Sequence, residues 1–349
     1  MAAAAAATSN RPTSTRPSRL RLFAVVAPFL LAVVWLRVDA NPSLFFFDLG
    51  LSLIKSNKSR FASLKGKTIW VTGASSGIGA ELVCHLVEAE AGHVILSARR
   101  SKKLQTVTED CRKRSTSSPT ILSVLSYDAA SLNTTEATVR QAMEIANKPI
   151  DMLFLNSGRY QLKPALETPI EETHAIMRVN FEAPVELAQT LIHLDTWKER
   201  GYGHIIVTSS VMAKGAHSLS SSYSASKQAL RGYFQSLSTE EFRWLRVDVV
   251  CPGAIATDMW NALDHQVASA DGEKMNPIRF VHLMLTGVVG PQLLFYETWI
   301  SKAPGLLWIT LSSFTPNLFH FFIHVLAVGR MAIWEKSGGG DEAFFFSAL

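Results

Sequence analysis

The chain has 349 residues, of which 48% are hydrophobic and only 18% are charged, and its mean hydropathy is +0.15. This composition excludes a disordered chain, because enough apolar surface is present to offset the entropy lost on folding. The three cysteines, Cys84, Cys111 and Cys251, show no CxxC spacing. We therefore predict no disulfide framework and expect Cys84 and Cys251 to be packed as small hydrophobic residues.

The positive charge of the chain is concentrated at its N-terminus. The formal net charge is +5, from 34 basic and 29 acidic residues. Residues 1–37 contain five arginines and no lysine or acid, which leaves the remainder with equal numbers of basic and acidic residues. A body without net charge gives no support to a basic face for phosphate backbones. We expect no nucleic-acid partner.

An apolar segment follows an Arg-, Ala- and Ser-rich leader at residues 1–21. The run Leu22 to Leu36 would be about 22 Å long as a helix, shorter than a bilayer core of about 30 Å. We interpret residues 22–60 as a hydrophobic anchor followed by an amphipathic linker that contacts the membrane. A cleaved signal peptide and an organellar transit peptide are the alternatives.

The charges next to the apolar run favour a cytoplasmic N-terminus. Two Asn-x-Ser/Thr sequons, at Asn57 and Asn133, would be usable only in a lumen, and such triplets are frequent by chance. An anchor would attach the chain to a membrane, and a transit peptide would direct it to a mitochondrion or plastid.

A strand, a glycine-rich loop, a helix and a second strand then follow in order. Thr68–Val71 and His93–Ala98 are the strands, and apolar residues at helical spacing lie between them. This order is typical of a dinucleotide-binding βαβ unit, in which glycines and the helix N-terminus admit the pyrophosphate. The loop residues predicted to contact the cofactor are Gly73, Ser75, Ser76, Gly77, Ile78 and Gly79.

The end of the second strand predicts which cofactor is bound. Sites for NAD usually have an acid here that holds the ribose 2′-hydroxyl, but this chain has Ala98 followed by Arg99 and Arg100. A guanidinium can bind a 2′-phosphate, and no carboxylate repels it. We predict NADP(H), held by Arg99.

Further apolar strands each end in polar or glycine-containing loops. They begin near Ile121, Ile150, His204 and Val247. Alternation of strands and helices predicts an α/β fold, a Rossmann-type doubly wound parallel sheet with its site at the carboxyl ends of the strands.

Tyr223 and Lys227 are spaced to share one face of a helix. A nearby ammonium favours the tyrosinate, so we predict that Lys227 lowers the pKa of Tyr223 and makes it a proton donor or acceptor near neutral pH. Ser210 ends a strand upstream, where its hydroxyl could polarise a carbonyl oxygen.

With these motifs in place, residues 65–264 resemble the short-chain dehydrogenase/reductase family, whose TGxxxGxG and YxxxK patterns match Thr72–Gly79 and Tyr223–Lys227. The resemblance implies hydride transfer between nicotinamide and a carbonyl carbon. It also implies that four residues are catalytic, namely Asn180, Ser210, Tyr223 and Lys227. Beyond the glycine loop and Arg99, the cofactor contacts it implies are Asp128, Asn156, Gly158, Tyr223, Lys227, Pro252, Gly253 and Thr257.

One position departs from the family pattern. The usual Asn-Asn-Ala-Gly becomes Leu155-Asn156-Ser157-Gly158, so Leu155 replaces an asparagine that braces the sheet. This departure motivates an alternative function, a non-catalytic membrane or lipid-particle scaffold that binds the cofactor. A second alternative is an organellar 3-ketoacyl-type reductase.

Shorter matches, among them Leu96–Arg100 and Glu335–Gly338, resemble the membrane-associated branch around family member 7. The resemblance implies association with the endoplasmic reticulum membrane, with a mitochondrion or plastid as the alternative location. It also implies reduction of a hydrophobic carbonyl, such as a steroid or retinoid, or oxidation of the matching alcohol. The predicted catalytic domain spans residues 65–275.

An apolar, aromatic extension follows at residues 276–335, and a glycine-rich tail at 336–349. We interpret the extension as short helices that form a hydrophobic substrate entrance and touch the membrane. The alternative is a packed subdomain or an oligomer interface, which would make the chain a homodimer. His320 and His324 have metal-ligand spacing but no further ligand nearby in sequence, so we predict no metal site.

Overall fold

Seven strands form one sheet in the part of the chain that a computed structural model describes, namely residues 61–240, 242–259, 274–289 and 297–300. Each strand is parallel to its neighbours. The strands are β1 (Thr68–Thr72), β2 (His93–Ala98), β3 (Ile121–Ser126), β4 (Met152–Leu155), β5 (Gly203–Thr208), β6 (Leu245–Pro252) and β7 (Glu297–Ile300).

Helices alternate with the strands along the chain. They are α1 (Gly77–Glu88), α2 (Ser101–Arg114), α3 (Thr135–Ala146), α4 (Ile170–Met177), α5 (Ala183–Leu194), α6 (Trp197–Arg200), α7 (Ser221–Ser238) and α8 (Pro277–Val289). A π-helical turn, Arg178–Glu182, joins α4 to α5.

The strand order is β3-β2-β1-β4-β5-β6-β7. The order reverses between β1 and β4, and ligands of open α/β sheets bind in the crevice at such a switch point. The prediction of a doubly wound parallel sheet is therefore confirmed.

Both faces of the sheet are covered, which explains why its strands read as continuous apolar runs. Helices α1, α2 and α8 pack on one face, where Ile69 and Val71 of β1 lie, and α3, α5 and α7 cover the opposite face, where Trp70 lies. All residues of β1, β2, β4 and β5 are buried. Burying one large apolar side chain contributes about 1.5–3 kcal/mol, so this core holds the strand ends in fixed positions.

The sheet continues beyond residue 275, the predicted end of the catalytic domain. Helix α8 buries Phe280, Met284 and Val288 in the same core as α1, and β7 pairs with β6. The described part of the predicted apolar extension is thus a layer of the fold. None of the described helices is long and apolar enough to cross a membrane. The predicted leader, anchor and tail, the rest of the extension, His320 and His324 lie outside the described residues.

The cysteines differ from the prediction. Cys84 of α1 and Cys111 of α2 form a disulfide, whereas we expected Cys84 to be packed as a small hydrophobic residue. The two residues are separated by 27 positions and lie on different helices, so only the packing of α1 against α2 brings them together. Cys251 lies outside this disulfide and is buried, as expected.

Candidate active site

The glycine loop packs tightly against the loop that follows β4. Thr72, the last residue of β1, donates a hydrogen bond from Oγ1 to the Phe154 carbonyl (3.2 Å) and accepts one from the Asn156 N–H (3.0 Å). Gly73 has φ +66°, and a Cβ built on it would lie 2.9 Å from the Ser157 backbone. This left-handed conformation and the close approach both require glycine.

Two further glycines open the surface at the start of α1. A Cβ on Gly79 would lie 2.3 Å from the Gly73 carbonyl oxygen and 2.8 Å from Nδ2 of Asn156. Gly77, the first residue of α1, has φ +56°, and a Cβ there would lie 3.0 Å from Cγ2 of Thr257. The first turn of α1 contains no acid, so its N–H groups and partial positive charge suit a pyrophosphate. The predicted residues Asn156 and Thr257 thus border the glycine loop.

The two arginines after β2 differ in their contacts. Arg100 Nη2 donates hydrogen bonds to the Ser75 (2.9 Å) and Ser76 (3.2 Å) hydroxyls of the glycine loop. Arg99 Nε lies 3.8 Å from an oxygen of Asp128, and both side chains are exposed. The sequence predicted a cofactor contact for Arg99 but not for Arg100. Only the fold shows that Arg100 reaches the serines.

Replacement of either arginine tests this end of the site. Charge-assisted hydrogen bonds contribute about 1.5–3 kcal/mol, so we expect Arg99→Ala and Arg100→Ala each to weaken NADPH binding by roughly 10- to 100-fold and NADH binding far less. Isothermal titration calorimetry with NADPH and with NADH measures the affinity for each cofactor and the ratio of the two affinities. Arg112→Ala, at an exposed arginine near the other end of α2, is the control. Equal losses for both cofactors would reject a 2′-phosphate contact.

Tyr223 and Lys227 lie one turn apart on α7, and both are buried. Lys227 Nζ donates to the Thr208 carbonyl (2.9 Å) at the end of β5 and lies 5.8 Å from the centre of the Tyr223 ring. Ser209 Oγ donates to the Lys227 carbonyl (3.0 Å). These hydrogen bonds connect α7 to the carboxyl end of β5. Doubly wound folds bind their ligands at this edge of the sheet.

Ser210 follows directly and faces the tyrosine. Its side chain is hydrogen-bonded to the Tyr223 side chain. Its Oγ also accepts a hydrogen bond from the Met212 N–H (3.2 Å), which caps the short helical turn Val211–Ala213. Two hydroxyls that can bind one carbonyl oxygen are therefore adjacent, as predicted from the strand end and the helix spacing.

Asn180 lies in the π-helical turn and is fully buried. Its Oδ1 accepts from the Arg159 N–H (2.7 Å), and its Nδ2 donates to the Arg159 carbonyl (2.9 Å) and to Ser226 Oγ (2.9 Å). A Cβ on Gly158 would lie 3.7 Å from both Asn180 Oδ1 and Lys227 Nζ. The side chain of Asn180 thus positions the loop after β4, and the proton relay stays a prediction. Single-turn π-helices are frequent at functional sites.

The structure also places a residue that the sequence did not reveal. The ring of Tyr160 lies 4.6 Å from the ring of Tyr223, centre to centre, and its hydroxyl is hydrogen-bonded to Ser220 Oγ (2.7 Å). Tyr160 belongs to an irregular loop whose path depends on Asn180, so no local pattern identified it. It places a second aromatic ring beside the ring of Tyr223.

The remaining predicted residues lie at the same edge of the sheet or within it. Pro252 ends β6, and the Gly253 N–H donates to the Ile300 carbonyl (2.9 Å) of β7. Asp128 follows β3 and accepts from the Ala130 N–H (3.0 Å). Leu155, which departs from the family pattern, is buried in the apolar core, so this strand end is braced by packing.

The pKa of Tyr223 differs from the prediction. Burial raises it above its ordinary value, and the hydrogen bond with Ser210 opposes this only in part. Lys227 is itself buried, and this burial lowers its pKa to about 8. Removal of both groups from water therefore outweighs the expected stabilisation of a tyrosinate by an ammonium. The phenol is therefore protonated at neutral pH, so it has a proton to donate.

The lowered pKa of Lys227 has a consequence for stability. Because the folded chain releases this proton near pH 8 and the unfolded chain near 10.5, burial of Lys227 destabilises the fold below pH 8 and the penalty disappears as pH rises. We expect the unfolding free energy of the cofactor-free protein, relative to Lys227→Met, to increase by on the order of 3 kcal/mol across this window. Urea unfolding at a series of pH values measures it, and parallel curves for the two proteins would contradict it.

Comparison with known proteins agrees with this geometry. A model of the short chain dehydrogenase family matches residues 67–268, more than half of the chain, so the chain belongs to this family of oxidoreductases. Dehydrogenase/reductase SDR family member 7 of Mus musculus is 30% identical over 307 residues, covering 85% of this chain and 87% of that protein. The resemblance to this branch is thereby confirmed.

Solved structures share the fold. A short chain dehydrogenase from Burkholderia cenocepacia in complex with NADP superposes with a TM-score of 0.61 at 24% identity, over 74% of this chain and 98% of that one. An actinorhodin polyketide ketoreductase variant with NADPH gives a TM-score of 0.61 at 23% identity, over 69% and 97%.

Proposed function

We propose that the protein is an NADP(H)-dependent oxidoreductase that reduces a hydrophobic carbonyl compound or oxidises the matching alcohol. The observation that carries this proposal is the assembly of Ser210, Tyr223 and Lys227 at the carboxyl ends of the central strands, beside the glycine loop. A scaffold that only bound a cofactor would have no need of the complete set of Asn180, Ser210, Tyr223 and Lys227.

In the proposed reaction, each of the predicted catalytic residues has a separate role. A bound nicotinamide cofactor supplies or accepts the hydride. Ser210 and Tyr223 bind the carbonyl oxygen through their hydroxyls, and Tyr223 Oη gives up its proton as negative charge develops there. Lys227 Nζ, 5.8 Å from the centre of the Tyr223 ring, would hold the cofactor ribose and would stabilise the phenolate left after proton transfer. Asn180 keeps the loop after β4 in place.

The cofactor preference rests on the residues after β2. Arg100 contacts the glycine loop, Arg99 is exposed beside it, and Ala98 occupies the position of the acid that NAD sites use. The neighbouring structures described above contain NADP or NADPH. Both lines of support favour NADP(H).

The hydrophobic class of the substrate rests on Tyr160 and on the apolar sequence beyond residue 300. An aromatic ring 4.6 Å from the catalytic tyrosine gives a flat, apolar surface against which a ring or chain next to the carbonyl can pack. The apolar run at residues 22–36 is proposed to attach the enzyme to the endoplasmic reticulum membrane, where such substrates partition. A homodimer is proposed as the assembly.

Turnover by a membrane fraction tests the function. NADPH oxidation would be followed against ketosteroids, retinal, 3-ketosphinganine and aromatic ketones, with NADH as the control cofactor. We expect turnover on at least one hydrophobic carbonyl with NADPH preferred. Bound NADPH without turnover on any of them would favour the cofactor-binding scaffold. Removal of the first ~40 residues in the mature protein would favour the organellar reductase.

A further inference from the structure

The sequon at Asn133 lies on an exposed loop of the folded domain. Asn133 is exposed, has φ +59°, and precedes the first residue of α3 by two positions. The loop is held in place because Arg178 Nη2 donates to the Ser131 carbonyl (2.9 Å). An exposed asparagine in a fixed surface loop offers room for a glycan, which a sequon in the core would not.

We propose that Asn133 is an N-glycosylation site and that the folded domain resides in an oxidising lumen. In the transfer, Asn133 Nδ2 forms a bond to the anomeric carbon of a lipid-diphosphate oligosaccharide. The carbon–oxygen bond to the diphosphate breaks, the lipid diphosphate leaves, and the amide proton passes to a base of the transferase. This inference is independent of the proposed reaction, because it concerns the compartment in which the fold is located.

The fold sets when this modification takes place. Thr135, the hydroxyl residue of the sequon, is buried, and its Oγ1 donates to Glu186 (2.9 Å) of α5. Because the transferase must reach this hydroxyl, the glycan is added to the growing chain before α3 packs against α5. The folded protein would be a poor acceptor.

The disulfide supports the same compartment independently. Cys84 and Cys111 are both buried, and disulfides of this kind persist in oxidising compartments, whereas cytosolic thiols are kept reduced. To form it, the two thiols pass two electrons and two protons to the disulfide of an oxidoreductase, which becomes a dithiol. If the proposed anchor at residues 22–36 spans the membrane with the N-terminus in the cytoplasm, the orientation that the closest flanking charges favour, the domain would be on the luminal side.

Glycosidase treatment of the full chain tests the site. The chain would be expressed in cells with a secretory pathway, in an Asn57→Gln background that removes the other sequon, and treated with peptide-N-glycosidase F. We expect one mobility step that disappears in Asn133→Gln and persists in Asn147→Gln. Asn147 is a matched control, because it is exposed, has φ +48° and lies outside any sequon. A mobility unaffected by the glycosidase, or a step that survives Asn133→Gln, would overturn the proposal.

Thiol counting gives the second readout. With three cysteines in the chain and two of them joined, we expect one alkylated thiol per chain after denaturation without reductant and three after reduction. Three before reduction would overturn the luminal placement. NADPH turnover of Asn133→Gln should equal that of Asn147→Gln, so failure of this inference is distinguishable from failure of the proposed function.

Discussion

Tyr223→Phe should reduce carbonyl turnover by about 10²- to 10⁴-fold while leaving NADPH affinity within a few-fold of the unaltered protein. The change removes only the hydroxyl, which is the proposed proton donor and is hydrogen-bonded to Ser210. The ring that packs beside Tyr160 remains, so the fold is preserved. Steady-state turnover and a fluorescence titration with NADPH separate the two effects.

Tyr233→Phe is the matched control. Tyr233 lies on the same helix, and its hydroxyl accepts a hydrogen bond from Gln189 Nε2 (2.8 Å), away from the glycine loop. The identical substitution there should change turnover by less than about twofold, since it touches no reacting group. Normal turnover in Tyr223→Phe, or an equal loss in both variants, would refute the assigned proton donor.

Gly79→Ala should abolish tight NADPH binding. The added methyl group would lie 2.3 Å from the Gly73 carbonyl oxygen, and a backbone atom cannot rotate away as a side chain can. The glycine loop must therefore shift, which we expect to cost about 1–3 kcal/mol of stability and more than tenfold in NADPH affinity. Thermal unfolding with and without NADPH measures both losses.

Gly232→Ala provides the comparison. Gly232 is exposed on α7, and nothing lies within 4 Å of a Cβ built on it. Alanine favours a helix interior by roughly 0.5–1 kcal/mol, so this variant should be slightly more stable and bind NADPH normally. If Gly79→Ala behaved like Gly232→Ala, the close packing of the glycine loop would not be required for cofactor binding.

The parts of the fold that follow from local patterns could be predicted from the sequence. The βαβ unit could be predicted because its parts, β1, the glycine loop, α1 and β2, follow one another in the chain. The buried strands could be predicted because each appears as an apolar run, which is recognised without knowledge of tertiary contacts. Tyr223 and Lys227 lie on one helix, so their spacing alone brings them together. Ser210 lies at a strand end, and parallel strands end at one edge of the sheet.

The features that were missed depend on contacts between distant segments. The disulfide needs α1 and α2 side by side, and the contact of Tyr160 with Tyr223 needs the loop that Asn180 holds. Helix α8 and β7 were predicted to belong to an extension outside the catalytic domain, because an apolar sequence does not distinguish a layer of the core from a hydrophobic substrate entrance. The pKa of Tyr223 was predicted in the wrong direction, because helical spacing revealed the neighbouring ammonium but not the burial of both groups.

Transfer of deuterium from the reduced cofactor to the product tests whether the protein catalyses hydride transfer to a carbonyl carbon. NADPH carrying deuterium at nicotinamide C4 would be incubated with the protein and the best carbonyl substrate, and the alcohol product analysed by mass spectrometry. We expect deuterium on the carbinol carbon with the unaltered protein and almost none with Tyr223→Phe. NADPH that binds to the unaltered protein without transferring deuterium to any carbonyl substrate would contradict it.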